Sequence, residues 1–258
     1  MNPETSAQPL AGRVAVVTGA AGGIGQAIVA ALVAQGALVH GLDVRADVLT
    51  DMQQRWPERF TPHTVRLGHR PDEDRMLAAL LQALAGRCDI VVNNAGISRV
   101  KPFVDTDDAD LDALFAINVQ AAFRITRALV PLMVGRPGAN IVNIGSELAL
   151  VGQWGYAAYC ATKGAILAWT RALAVELAPQ GLRANAVCPG PIDTPMLAAE
   201  FALADDPVAA RLGEVATVPV GRLGQPADIA AVVAFLASDA ASFVNGAAWS
   251  ADGGKTAR

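Results

Sequence analysis

The sequence is short of charge and of cysteine, and it has no long apolar run. Asp, Glu, Lys and Arg make up 17% of its 258 residues, below the roughly 25% of ordinary soluble domains. Hydrophobic residues make up 53%, which excludes a disordered chain, since such chains cannot bury enough apolar surface to fold. Three cysteines, Cys88, Cys160 and Cys188, are too few and too unevenly spaced for a disulfide framework or a CxxC metal site. A reducing, cytoplasmic setting is therefore expected. The net charge of -4 speaks against nucleic acid as the main partner. The longest apolar runs, such as 229–237, fall well short of the roughly 20 residues that span a bilayer, so no membrane partner is expected. Residues 1–9 lack the basic start and apolar middle of a secretory signal and read as a flexible N-terminal tail. His40, His63 and His69 have no metal-ligand partners at useful spacing, and no metal site is expected.

What is present is a regular alternation. Residues 14–18 form a strand-like apolar run, 23–35 carry apolar side chains at helical spacing, and 38–43 form a second strand-like run. Together they read as a βαβ unit. Further strands are expected at 64–67, 89–93, 140–145, 183–187 and 247–250, with helical stretches between them. About seven strands alternating with helices predict an α/β fold: a single Rossmann-like, doubly wound parallel sheet with helices on both faces. No linker interrupts the pattern, so residues 10–258 are read as one domain. The stretch 189–219, rich in Pro, Ala and Asp, reads as a mobile flap carrying short helices. Residues 111–134 and 156–178 are apolar around nearly their whole circumference. A helix lying on a sheet needs only one apolar stripe. These two helices are expected to meet a second copy of the chain in a homodimer or homotetramer, the alternative being alanines that simply face solvent.

After the first strand the chain reads Thr18-Gly19-Ala20-Ala21-Gly22-Gly23-Ile24-Gly25 and enters a helix. Glycines there allow a tight turn, let the backbone approach a pyrophosphate, and leave helix N-terminal amides aimed at negative charge. Gly19, Gly22, Gly23, Ile24 and Gly25 are the expected phosphate-loop residues. Glycines serving only strand–helix packing would not require the acidic residue, Asp43, that ends the next strand. A carboxylate at that place accepts hydrogen bonds from ribose hydroxyls and repels a 2'-phosphate. Two charges about 4 Å apart repel by roughly 4 kcal/mol at an effective dielectric near 20. NAD is expected over NADP. Arg45 offers the phosphate a rescue, although a solvated surface role is the simpler reading.

Tyr159 and Lys163 are four residues apart at the start of the second apolar helix and so share a face. A free tyrosine titrates near 10, so a phenol acting as a base close to neutrality needs its ionised form favoured by about 3 to 4 kcal/mol. A neighbouring ammonium acts in that direction. Ser146 follows the strand at 140–145 and falls at the carboxyl edge of the sheet, where open α/β folds bind ligands. In isolation it would read as a turn cap.

With these residues in place the chain resembles the single-domain short-chain dehydrogenase/reductases, from Leu10 to Gly254. The resemblance rests on the glycine turn, Asn93-Asn94-Ala95-Gly96, Asn118 in a long helix, Ser146, Tyr159, Lys163, the Pro189-Gly190 turn, and Asp252-Gly253-Gly254. It implies that Tyr159 is the acid/base, and that Lys163 binds the nicotinamide ribose and lowers the phenol's pKa. Ser146 would orient the substrate oxygen, and Asn118 would hold a water in a proton relay. Asn94, Ala95 and Gly96 would line the cofactor site along with Pro189, Gly190 and Ile192, and Thr194 would bind the carboxamide. NADP-preferring relatives often carry a basic residue where this chain has Gly22, which agrees with Asp43. Where many relatives place an adenine-contacting Asp after the third strand, this chain has Gly68-His69-Arg70, with His69 the nearest counterpart.

The reaction implied is NAD-dependent interconversion of a secondary alcohol and a ketone. Glu147, Gln153, Trp154 and Met196 are candidate substrate contacts, and so are Leu148, Tyr156, Leu197 and Phe201. Glu147 and Gln153 suit the hydroxyls of a polyol or sugar, on whose ring Trp154 could stack, although loop or subunit-contact roles fit the same residues. The rival enzyme reading is a 3-oxoacyl-thioester reductase using NADPH. A rival of another class is a non-enzymatic, NAD-responsive binding protein.

Overall fold

Neighbouring residues of the first strand serve opposite cores. In β1 (Val14–Thr18), Val14 and Val16 pack into one hydrophobic cluster while Ala15 and Val17 pack into another. Successive side chains of a strand point to opposite faces, so a strand covered on both sides must be apolar throughout. The run at 14–18 is such a strand.

The computed structural model describes residues 8–257; of the tail expected at 1–9, residues 1–7 lie outside that range. The remaining strands are β2 (Leu38–Asp43), β3 (Phe60–Thr64), β4 (Ile90–Asn93), β5 (Asn140–Ile144), β6 (Arg183–Pro189) and β7 (Ala248–Ala251). All pair in parallel in the order β3-β2-β1-β4-β5-β6-β7. Between them run α1 (Gly23–Ala34), α2 (Ala46–Arg55), α3 (Arg70–Ala83), α4 (Asp108–Phe115), α5 (Ala122–Met133), α6 (Ala157–Leu177), α7 (Pro195–Phe201), α8 (Pro207–Thr217) and α9 (Pro226–Ala237). Helices α1, α2 and α9 bury Ile28, Leu49, Met52 and Val233 on one face of the sheet. On the other face α3, α5 and α6 bury Leu80, Ile125, Leu129 and Leu177. This is the doubly wound α/β architecture, with its change of winding direction between β1 and β4.

The third strand differs from the expectation of 64–67, because it runs over Phe60–Thr64. Phe60 fixes this register: it pairs with Val39, and its ring covers Gly41, where a Cβ would meet it at 2.4 Å. Pro62 masks the strand in the sequence, yet an edge strand tolerates a residue with no N–H to donate. The helix expected at 111–134 begins earlier, at Asp108, capped by the Asp107 side chain on the Asp110 N–H. It continues into α5 through a π-helical turn, Ala116–Ala121. The continuous stretch Asp108–Met133 is long and apolar enough, by length and composition, to cross a membrane, which run length alone did not reveal. Its Leu114, Ile125, Leu129 and Met133 are buried inside the protein. The stretch 189–219 carries the short helices α7 and α8.

Candidate active site

At the carboxyl ends of the strands lies a cavity of about 840 Å³. The cofactor and substrate residues anticipated from the sequence line it apart from His69, and Asn118 is buried without lining it.

One end is a backbone cradle. Gly19 has a positive φ of 64°, and a Cβ there would sit 2.8 Å from the Ala95 Cα. A Cβ on Gly25 would sit 2.0 Å from the Gly19 carbonyl oxygen. Helix α1 starts after Gly22 with no side chain capping it, so its first amides stay available to an anion. The Thr18 Oγ1 accepts the N–H groups of Asn94 and Ala95, both at 3.0 Å, and the Asn94 side-chain amide donates to the carbonyls of Thr18 and Gly19. These bonds tie the end of β4 to the glycine turn. A dinucleotide fits this construction: the cradle admits phosphates only because side chains are missing from it.

Asp43 ends β2 and is buried. Its Oδ2 accepts the Ala21 N–H at 3.0 Å, and its Oδ1 accepts the Arg45 N–H at 3.1 Å and Nε at 3.3 Å. Arg45 is therefore not merely a solvated surface residue. Its guanidinium reaches back to Asp43 and lies near Gly22, where a Cβ would meet Nη2 at 3.7 Å. His69 lies away from the cavity, at the N-terminus of α3, with its Nδ1 2.9 Å from Asp72 Oδ2. With β3 displaced toward the N-terminus, Val65, Arg66 and Leu67 line this end instead. The shifted strand also explains why the sequence pointed past them.

At the other end Ser146, Tyr159 and Lys163 converge. Ser146 caps the short 3₁₀ turn Glu147–Ala149 by accepting the Leu148 N–H at 3.1 Å, and its hydroxyl also hydrogen-bonds the Tyr159 phenol. It is thus both a turn cap and a member of the cluster. The Lys163 Nζ lies 5.6 Å from the Tyr159 ring centroid and donates to the Ile144 carbonyl at 2.9 Å. Burial, the largest influence, pushes the phenol above its ordinary pKa, and the Ser146 bond opposes it. Burial also brings the Lys163 ammonium down to about 8. The downward shift expected for the phenol is thus outweighed by its enclosure.

Asn118 lies within the π-helical turn, a local widening that recurs at functional sites. Its Oδ1 accepts the Ile97 N–H at 2.8 Å, and its Nδ2 donates to the Ile97 carbonyl at 3.0 Å and the Thr162 Oγ1 at 3.1 Å. A Cβ on Gly96 would lie 3.4 Å from Asn118 Oδ1 and 3.5 Å from Lys163 Nζ. The glycine backbone passes close to both groups.

Of the substrate candidates, Trp154 is exposed, while Glu147 is buried and paired with Lys255 at 2.9 Å. Tyr156 donates its hydroxyl to Glu200 Oε2 at 2.8 Å, and Ser98 donates to Glu200 Oε1. The sequence reading missed Glu200, Glu214 and Lys255, which belong to segments far apart in the chain and carry no local motif.

These features define an α/β oxidoreductase of the dinucleotide-binding kind, and comparison with known proteins narrows the class. A family model described as enoyl-(acyl carrier protein) reductase matches residues 19–256. The chain is 35% identical over 248 residues to a 3-oxoacyl-[acyl-carrier-protein] reductase of Thermotoga maritima, covering 95% of this chain and 98% of that one. It is 38% identical over 258 residues to 2-(S)-hydroxypropyl-CoM dehydrogenase 3 of Xanthobacter autotrophicus, covering 96% and 98%. It is 35% identical over 260 residues to the oxidoreductase UcpA of Escherichia coli, covering 96% and 95%. The chain belongs to the short-chain dehydrogenase/reductase family.

Proposed function

We propose that this protein is an NAD-dependent oxidoreductase that interconverts a secondary alcohol and a ketone, with Tyr159 as the acid/base. The observation that carries the reading is that Ser146, Tyr159 and Lys163 face the same cavity as the glycine cradle. The substrate hydroxyl lies between Ser146 and Tyr159. In oxidation the Tyr159 phenolate takes the hydroxyl proton, and in reduction the phenol returns it to the ketone oxygen. The nicotinamide dinucleotide, when bound, supplies the hydride acceptor or donor. Ser146 orients the reacting oxygen. Lys163, whose ammonium sits beneath the Tyr159 ring, binds the ribose and favours the developing phenolate. Asn118, fixed by Ile97 and Thr162, holds a water that relays protons to Lys163.

The cofactor residues are those of the cradle (Gly19, Gly22, Gly23, Ile24, Gly25), with Asn94, Ala95 and Gly96, and with Pro189, Gly190, Ile192 and Thr194 opposite. A Cβ on Gly23 would lie 2.9 Å from the Thr194 side chain, a closeness that supports a flap at 189–219 beside the phosphate loop. Asp43 supports NAD by offering its carboxylate to the ribose hydroxyls. Glu147 and Gln153 at the cavity wall support a polyol or sugar-like substrate, with Trp154 and Met196 as apolar contacts. Phe123 and Val175 are exposed large apolar residues on α5 and α6, and they support a homodimer or homotetramer formed through these helices. All three cysteines are free, which supports a cytoplasmic location.

A second reading, a 3-oxoacyl-thioester reductase using NADPH, draws on the Thermotoga relative and on Arg45, which stands where it could meet a 2'-phosphate. Initial rates on secondary alcohols, polyols, ketones and a 3-oxoacyl thioester, each with both cofactors, separate the two. Alcohol oxidation with NAD supports the first reading, and thioester reduction confined to NADPH replaces it.

A further inference from the structure

The cavity wall holds an acceptor that the reaction chemistry leaves unused. Glu147 follows Ser146 directly, lines the cavity with Tyr159, and is 5% exposed. Its Oε1 accepts from the Lys255 Nζ at 2.9 Å, while its Oε2 is buried and has no hydrogen-bond partner among the described residues. The Lys255 ammonium is shared: its other bond, at 2.5 Å, goes to Glu214 Oε1 on α8. Two carboxylates thus face one cation. Glu200, the third carboxylate at this wall, has both oxygens engaged, by Ser98 and by Tyr156.

A buried carboxylate oxygen without a donor is unfavourable, and a ligand that brings a donor returns that free energy. The terminal torsion of a glutamate is soft, so the carboxylate can adjust to a donor in the cavity that Glu147 lines. Burial pushes the Glu147 carboxyl up, while the Lys255 bond pulls it back toward ionisation. Glu147 is next in the chain to Ser146 and lines the same cavity wall as Ser146 and Tyr159, which flank the reacting oxygen. A donor on the substrate therefore needs to be near its carbinol carbon.

We propose that Glu147 is a specificity-determining residue. It selects secondary alcohols that carry a second hydrogen-bond donor beside the carbinol, a hydroxyl or an ammonium, and it rejects those that carry an anion there. Lys255 is its positioning residue, holding Oε1 so that Oε2 is left for the substrate. This rests on the alcohol–ketone reading above and sharpens its substrate class.

The test uses the full chain with NAD and four substrates: 2-butanol, 2,3-butanediol, 1-amino-2-propanol and 3-hydroxybutyrate. The unmodified protein is expected to favour the diol, the amino alcohol or both over 2-butanol in kcat/KM by about tenfold or more, the size of one charge-assisted hydrogen bond. Which of the two gains identifies the donor. The hydroxy acid is expected to fall below 2-butanol. Glu147→Gln keeps the shape, but its amide oxygen accepts from Lys255 and its NH₂ takes the place of Oε2. The preference for donors over 2-butanol should then fall about tenfold, and the hydroxy acid should gain relative to 2-butanol. Lys255→Met should lose the preference mainly through KM, and Lys255→Arg should restore it. NADH titration and melting temperature verify that each variant is folded. The proposal is overturned if the unmodified protein turns over 2-butanol with no donor preference, or if a folded Glu147→Gln keeps that preference within about twofold. Should Glu147→Gln fail to fold, the Lys255 pair decides by the same ratio. Absence of turnover on every alcohol and ketone overturns the parent reading itself, a different result from turnover without selectivity.

Discussion

The Cα of Gly25 faces the carbonyl oxygen of Gly19 so closely that a Cβ on it would lie 2.0 Å away. No side-chain rotation relieves a clash between a Cβ and backbone, so the loop itself would have to move. Gly25→Ala is expected to lower the melting temperature and weaken dinucleotide binding at least tenfold, with about 1 to 3 kcal/mol lost to overpacking. Calorimetric titration with NADH and thermal unfolding check both effects. Gly152→Ala is the control, since nothing lies near a Cβ at that position.

Asp43 and Arg45 oppose each other in cofactor choice. The buried carboxylate repels a 2'-phosphate, and the guanidinium that it currently holds at 3.3 Å would attract one. Asp43→Ser, with Arg45 retained, should shift the NAD-to-NADP ratio of kcat/KM toward NADP by at least tenfold. An unchanged ratio would remove Asp43 from the account of cofactor preference.

His40 and His63 stack across β2 and β3, with Nδ1 and Nε2 3.0 Å apart. Burial lowers both pKa values, and the neighbouring His40 helps bring His63 down to about 4. The unfolded chain protonates these rings near 6.5. Between about 6.5 and 4 the unfolded state therefore binds more protons than the folded one, and stability rises with pH across that window. The melting temperature should fall on acidification from pH 7 to 4.5, and His63→Gln should show a shallower fall. Equal slopes in the two proteins would show that the pair makes no contribution.

The parts of this fold legible in the sequence are those governed by short-range periodicity. β1 and β2 show as apolar runs because both their faces are buried, and the glycine turn shows because its geometry forbids side chains. Ser146, Tyr159 and Lys163 were recognisable through a resemblance whose motifs span nearly the whole chain. β3 was displaced because its register depends on Phe60 packing over Gly41, a contact made only after folding. The π-helical turn at Asn118 is a shift in backbone hydrogen bonding with no side-chain signature. The Glu147–Lys255–Glu214 cluster joins segments 108 and 41 residues apart, so no window along the chain contains it. The upward shift of the Tyr159 phenol comes from enclosure, which spacing alone does not register.

The most direct test of the central claim is Tyr159→Phe, which removes one hydroxyl from a ring that also packs against Tyr156 with centroids 6.1 Å apart. Because the ring and its packing remain, the variant should fold and bind NADH within about threefold of the unmodified protein. Its kcat should fall by at least about 100-fold, the lower bound for a lost general acid/base. Stopped-flow or steady-state turnover measured beside NADH titration gives both numbers from one preparation. Turnover retained within a few-fold, with cofactor binding intact, would contradict the assignment of the proton transfer to Tyr159.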